Sequence, residues 1–191
     1  SLIPGTRYSR MYNVDQAVSE MKKAVEISPT EPTYQGYLAW LNLFIGRFED
    51  ALEEARKTLQ LDPNYTTAYY VMGEAYSEMG MNFEAIETHN KGLAISPGYE
   101  GGLGVAYARA GQKDKAMEVI RGIEKYMDSW WYAWAVAEIY TAIGDKNKAI
   151  DALEVVYKLR GDFAPFIPTY WAFKPLSDEP GFKDITGRFN F

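Results

Sequence analysis

Two glutamates, Glu74 and Glu138, are the acids whose chemistry would matter most if this chain were an enzyme. Paired carboxylates can divide general-acid and general-base work, as in glycoside hydrolysis. Acids on an open helix face are more often simply solvated, and these two stand far apart in the chain. A lone His89 cannot assemble a multi-histidine metal site. It falls within a helical stretch and reads as a packing or hydrogen-bonding residue. There are no cysteines, which removes disulfides, thiolate ligands and a cysteine nucleophile. No Ser-His-Asp order, phosphate loop or metal-ligand spacing is present. The expectation is a non-enzyme with no cofactor and no metal, and a glycosidase-like hydrolase is the remote alternative.

Recognition is better supplied. Trp40, Phe44, Tyr70, Trp131 and Trp134 recur at related positions with Glu74, Glu138 and Arg109 among them. Aromatic rings on a concave wall give large apolar contact with few torsions to freeze, which suits capture of a peptide. Arg109 is the one cation in this set, and a solvated helical charge is its plainer reading. Trp40 and Trp134 either face a partner or pack between helices and beneath the tail.

These residues are positioned by a repeat. Gly46 and Ala51, Gly80 and Ala85, Gly111 and Ala116, and Gly144 and Ala149 form one phrase written four times. Successive alanines are 34, 31 and 33 residues apart, and Pro29, Pro63 and Pro97 keep the same register. Such a period marks stacked helix-turn-helix units. Each glycine closes a first helix in the left-handed region, and each alanine lets a second helix approach closely. Gly73 would cost about 1 kcal/mol relative to Ala inside a helix. Its return is close packing, since Ala39, Gly104 and Ala137 fill the equivalent slots, and Gly92 signals a second crowded contact.

The units are a half repeat over 12–29, full repeats over about 32–65, 66–99, 97–129 and 130–160, and a tail over 161–191 that caps the same domain. The half repeat leaves an apolar face that residues 1–12 or a lost upstream segment must cover. Gly161-Asp162 closes the last full repeat. The tail is rich in proline and aromatics, with a short helix near 179–187. It is expected to fold back over the second helix of the last unit, hiding the exposed end of the stack.

Hydrophobic content of 47% and charged content of 24% fit a folded chain. No apolar run approaches the roughly 18 residues of a membrane span, and the start is no secretion signal. A cytoplasmic protein is expected. The net charge of −6 works against direct binding to nucleic acid.

LGVAYARAG, VMGEAYSEMG and AEIYTAIGDKNKA resemble the tetratricopeptide repeat (TPR) family over about residues 12–160. The tail, WAFKPLSDEPGFKDI, looks like the closing segment of tetratricopeptide regions in bacterial multidomain regulators linked to winged-helix, kinase or cyclase domains. Phe173, Pro175, Leu176, Asp178, Pro180 and Phe182 carry that likeness, and Gly181 stands where Arg is commoner. Some relatives hold a C-terminal carboxylate through Lys and Asn. Here the slots hold Gly36, Trp40, Tyr70 and Glu74, so such a clamp is not expected. An apolar or mixed peptide, or a basic contact to Glu74 and Glu138, fits better.

The resemblance implies an all-α protein, a right-handed α-α superhelix (TPR solenoid) of helical hairpins with a C-terminal capping segment. It implies a protein-protein interaction scaffold within a larger regulatory protein, binding a peptide segment or partner helix in a groove of Trp40, Phe44, Tyr70, Glu74, Arg109, Trp131, Trp134 and Glu138. The partner is protein or peptide, with no direct nucleic acid and no membrane. Self-association as a homodimer is one alternative. A structural spacer is another, favoured if the tail or packed aromatics fill the inner wall.

Overall fold

A computed structural model describes residues 14–160 and 164–189. The expectations for residues 1–12 and for Gly161-Asp162 lie outside the described residues. Helix α1 (Val14–Ile27) is followed by four hairpins. These are α2 (Pro32–Phe44) with α3 (Phe48–Leu61), and α4 (Thr66–Glu78) with α5 (Asn82–Ile95). Next come α6 (Glu100–Arg109) with α7 (Lys113–Ile123), and α8 (Trp130–Ile143) with α9 (Lys146–Lys158). The tail has 3-10 turns at Ala164–Phe166 and Trp171–Leu176, then α10 (Pro180–Gly187).

The elbow glycines act as their position requires. Gly46 has φ +75°. Its N–H donates to the Leu43 carbonyl at 2.9 Å, and the Arg47 N–H donates to the Asn42 carbonyl at 2.8 Å. This pair of bonds closes a helix end through a left-handed residue, and it recurs at Gly80, Gly111 and Gly144. Ala51, Ala85, Ala116 and Ala149 are fully buried. Each first helix touches its own second helix and the next first helix: α2 meets α4, α4 meets α6, and α6 meets α8. That stacking makes an α-α superhelix whose inner layer is the set of first helices.

Glycine sets the tightest approaches. A Cβ on Gly73 would lie 2.5 Å from His89 Nε2, and one on Gly92 would lie 2.8 Å from Tyr69 Cβ. Short α6 goes further, since Cβ atoms on Gly101, Gly102 and Gly104 would collide with Ala135, His89 and Ile139. Its backbone therefore lies directly against α5 and α8. Gly102→Ala is expected to destabilise by about 1–3 kcal/mol, because the buried His89 ring has nowhere to go. Gly122→Ala, on exposed α7 surface with nothing near its Cβ, should stabilise by up to about 1 kcal/mol. Urea denaturation of the two variants checks the opposite signs.

Apolar side chains form two clusters, one around α2–α4 and a larger one joining α6–α9 to Ile167, Phe173, Leu176, Phe182 and Ile185 of the tail. Helix α10 lies against α9, as the capping expectation requires. Lys146 pairs with Glu179 at 2.7 Å, and Arg188 with Glu154 at 2.8 Å. Gly181 packs closely on Ile150, where a Cβ would lie 3.0 Å from the Ile150 Cγ2. Residues 164–176 do not continue over α9. They run along the inner face, a placement that the expected fold back over the second helix of the last unit did not include.

Candidate functional site

The wall begins on α2, where Trp40 and Phe44, one turn apart, stack at 5.2 Å between ring centroids. On α4, Tyr70 stacks on Tyr99 at 4.9 Å, and Trp131 of α8 meets Tyr99 edge-on at 5.8 Å. The Trp131 indole N–H donates to the Gly98 carbonyl at 3.0 Å. Trp134 lies one turn further along α8.

The tail is seated on this wall. Phe44 meets Phe166 at 4.7 Å and Tyr170 at 5.3 Å. Trp134 meets Tyr170 at 5.1 Å and Phe173 at 4.9 Å. The Trp171 indole N–H donates to the Leu43 carbonyl at 3.1 Å, and its ring meets Phe48 edge-on. The Leu43 carbonyl already accepts from the Gly46 N–H, so the indole is a further donor at the end of α2. The tail thus joins the last hairpin to the first and bridges both apolar clusters.

An open groove was expected, and the structure corrects this at four positions. Tyr70, Glu74, Trp134 and Glu138 are 6%, 1%, 5% and 5% exposed. Trp40, Phe44, Arg109 and Trp131 are half-buried. With Trp130 and Tyr170, Trp40, Phe44, Tyr70, Trp131 and Trp134 line a narrow apolar cavity of about 20 Å³.

The glutamates are also not solvated. Glu74 of α4 and Glu138 of α8 line one cavity of about 50 Å³, with Arg109 of α6 and with Trp171, Ala172 and Pro175 of the tail. Two units of separation in sequence are closed by the curvature of the stack. Arg109 pairs with Glu78, so it is not a free surface charge. Burial pushes Glu138 up to about 7, while hydrogen bonds from the Trp134 indole and the Tyr170 hydroxyl, and the Arg109 charge, oppose that rise. Burial also holds Glu74 well above the usual carboxylate range; the charge of Glu138 adds to this and Arg109 opposes it. His89, packed between Gly73 and Gly102, is lowered by burial to about 3 and stays neutral. Its Nε2 lies 3.7 Å from Glu74 Oε1, beyond hydrogen-bond reach.

A cavity of 50 Å³ has no room for a sugar ring, so the pairing of Glu74 with Glu138 lends no support to glycoside hydrolysis. Among the described residues no three His, Asp or Glu side chains group to hold a metal, and no helix is long and apolar enough to cross a membrane. Sequence reasoning missed Tyr99, Trp130, Tyr170 and Trp171 as parts of this wall. For Tyr170 and Trp171 the available signal was the density of aromatics in a non-repeating tail.

Residues 66–99, the α4–α5 hairpin, match the tetratricopeptide repeat family model. The small glutamine-rich tetratricopeptide repeat-containing protein 2 of Mycosarcoma maydis is 31% identical over 84 residues, covering 44% of this chain and 24% of that protein. The chain thus spans about a quarter of the length of that curated relative. Among solved structures, the tetratricopeptide protein TTC0263 of Thermus thermophilus has a TM-score of 0.67 at 21% identity, covering 83% of this chain and 90% of that one. YrrB, described as a TPR protein with an unusual peptide-binding site, has a TM-score of 0.51 at 20% identity, covering 88% and 93%. These likenesses show the tetratricopeptide fold.

Proposed function

We propose that this chain is a protein-protein interaction module whose inner wall takes an aromatic, proline-bearing segment. In the structure its own residues 164–176 hold that seat. One observation carries the reading: the wall already binds a segment of this kind, through the Trp171–Leu43 hydrogen bond and the rings stacked on Phe44 and Trp134. Tetratricopeptide proteins generally mediate protein-protein interaction, and the described peptide site of YrrB supports the same use of the fold. A place within a larger regulatory protein rests on the tail motif of Phe173, Pro175, Leu176, Asp178, Pro180 and Phe182.

A partner must compete with a tethered tail whose effective concentration is of order millimolar. The test uses a labelled peptide of residues 164–176 and the full chain with and without Trp171→Ala, which removes the bond to Leu43. Binding to the variant, at least about tenfold tighter than to the unaltered chain, is expected. A variant that keeps its helicity and binds no peptide would contradict the proposal. The filled wall favours that second reading, a closed structural spacer, and the same experiment separates the two. Self-association by exchange of tails between copies would instead appear as a mass that rises with concentration.

A further inference from the structure

We infer that the cavity under the tail is a receptor for the ammonium group of a lysine, carried by the partner segment at the place the chain's own Ala172 occupies. This rests on the proposed partner seat and specifies what that partner carries.

The cavity holds more acids than cations. Glu74 from α4 and Glu138 from α8 line it, with Glu78 also acting on both, and Arg109 is the cation that faces them. Arg109 is already engaged by Glu78. The other titratable groups against the pair are Tyr70 of α4, His89 of α5 and Tyr170 of the tail, all buried and neutral. Glu74 Oε1 and Glu138 Oε1 are buried without any hydrogen-bond partner among the described residues. The tail brings them no cation: its Tyr170 hydroxyl donates to Glu138, Trp171, Ala172 and Pro175 line the cavity, and its Lys174 is exposed.

A buried carboxylate oxygen without a donor is unusual and asks for a ligand. Lysine is the matching one. Its compact ammonium offers three donors on a slender stem, and a cavity of about 50 Å³ exceeds the space one water needs. Folding has already stripped water from both carboxylates, so an arriving ammonium adds a counter-charge without that cost on the receptor side. The tail therefore fits the wall in shape and brings no cation to Glu74 and Glu138, which lets a lysine-bearing competitor displace it.

Peptides of residues 164–176, carrying either Ala172→Lys or Ala172→Met, are titrated at pH 8 into the full chain bearing Trp171→Ala. Methionine matches the length of the stem without its charge. The lysine peptide should bind about tenfold tighter, the return on a charge-assisted hydrogen bond. That advantage should vanish when the chain also carries Glu74→Gln and Glu138→Gln. Equal affinity of the two peptides, or an advantage that survives both glutamine changes, overturns the inference. If neither peptide binds, the partner seat itself fails and the cavity is judged in the chain's own tail. There Ala172→Lys should melt higher than Ala172→Met at pH 8, and no difference overturns the lysine receptor.

Discussion

Trp134→Ala should cost about 3–5 kcal/mol of stability, the range for a large aromatic removed from a core. This tryptophan is 5% exposed, and Tyr170 and Phe173 pack on its ring. Its indole also donates to Glu138, so the truncation strips a hydrogen bond from a buried carboxylate as well as opening a void. The loss should be concentrated in the tail. Chymotrypsin should cut after Tyr170 and Phe173 in the variant under conditions that leave these buried sites uncut in the unaltered chain. Trp40→Ala, at a half-buried ring stacked on Phe44, should cost clearly less. Urea denaturation of the two variants decides the matter, and a loss below about 1 kcal/mol at Trp134 would place it outside the core.

The second large effect is on pH dependence. Glu138 has a folded pKa raised from 4.5 to about 7, so the folded chain holds that proton more firmly than the unfolded chain. Its contribution is fully present below 4.5 and is lost as pH rises through 7, about 3 kcal/mol for the shift. Glu74, raised in the same direction, extends the loss upward. His89 acts oppositely. Lowered from 6.5 to about 3, it stays neutral when folded while the unfolded imidazole protonates. Stability on its account falls as pH drops below 6.5. The two slopes oppose each other between 4.5 and 6.5, and the fall above that window belongs to the glutamates. Glu138→Gln removes one titrating group while its amide oxygen still accepts from Trp134 and Tyr170. Its stability should vary much less between pH 5 and 8 than that of the unaltered chain. The slope is the readout, because an imperfectly satisfied amide shifts the whole curve. Parallel curves would show that Glu138 is not buried as described.

The repeat was legible because its signals are local. Gly46 ends α2 by its own backbone conformation, Ala51 is buried by its spacing from that elbow, and Gly73 and Gly92 marked close contacts before their neighbours were known. Gly102 stands beside Gly98 and Gly101, where propensity argues against a helix. Contact with His89 and Glu74 makes glycine necessary there.

The wall was legible as a set of residues and not as a surface. Positions from Trp40 to Glu138 were assigned to the inner face by their register, but no periodic rule says where an aperiodic tail will lie. Trp171 and Leu43 are 128 residues apart, and a contact of that range leaves no mark in local spacing. The misreading of Glu74 and Glu138 as solvated follows from the same gap. Both are buried by the curvature of the stack together with the tail, and neither cause is local.

The account turns on the tail lying across the first hairpin, and proton-proton contacts in solution address that most directly. Selective labelling of aromatic side chains should give strong cross-peaks from the Phe44 ring to those of Phe166 and Tyr170, whose centroids lie 4.7 and 5.3 Å away. Loss of those cross-peaks, with contacts between Gly181 and Ile150 retained, would mean that the tail caps the last unit and leaves the inner wall open.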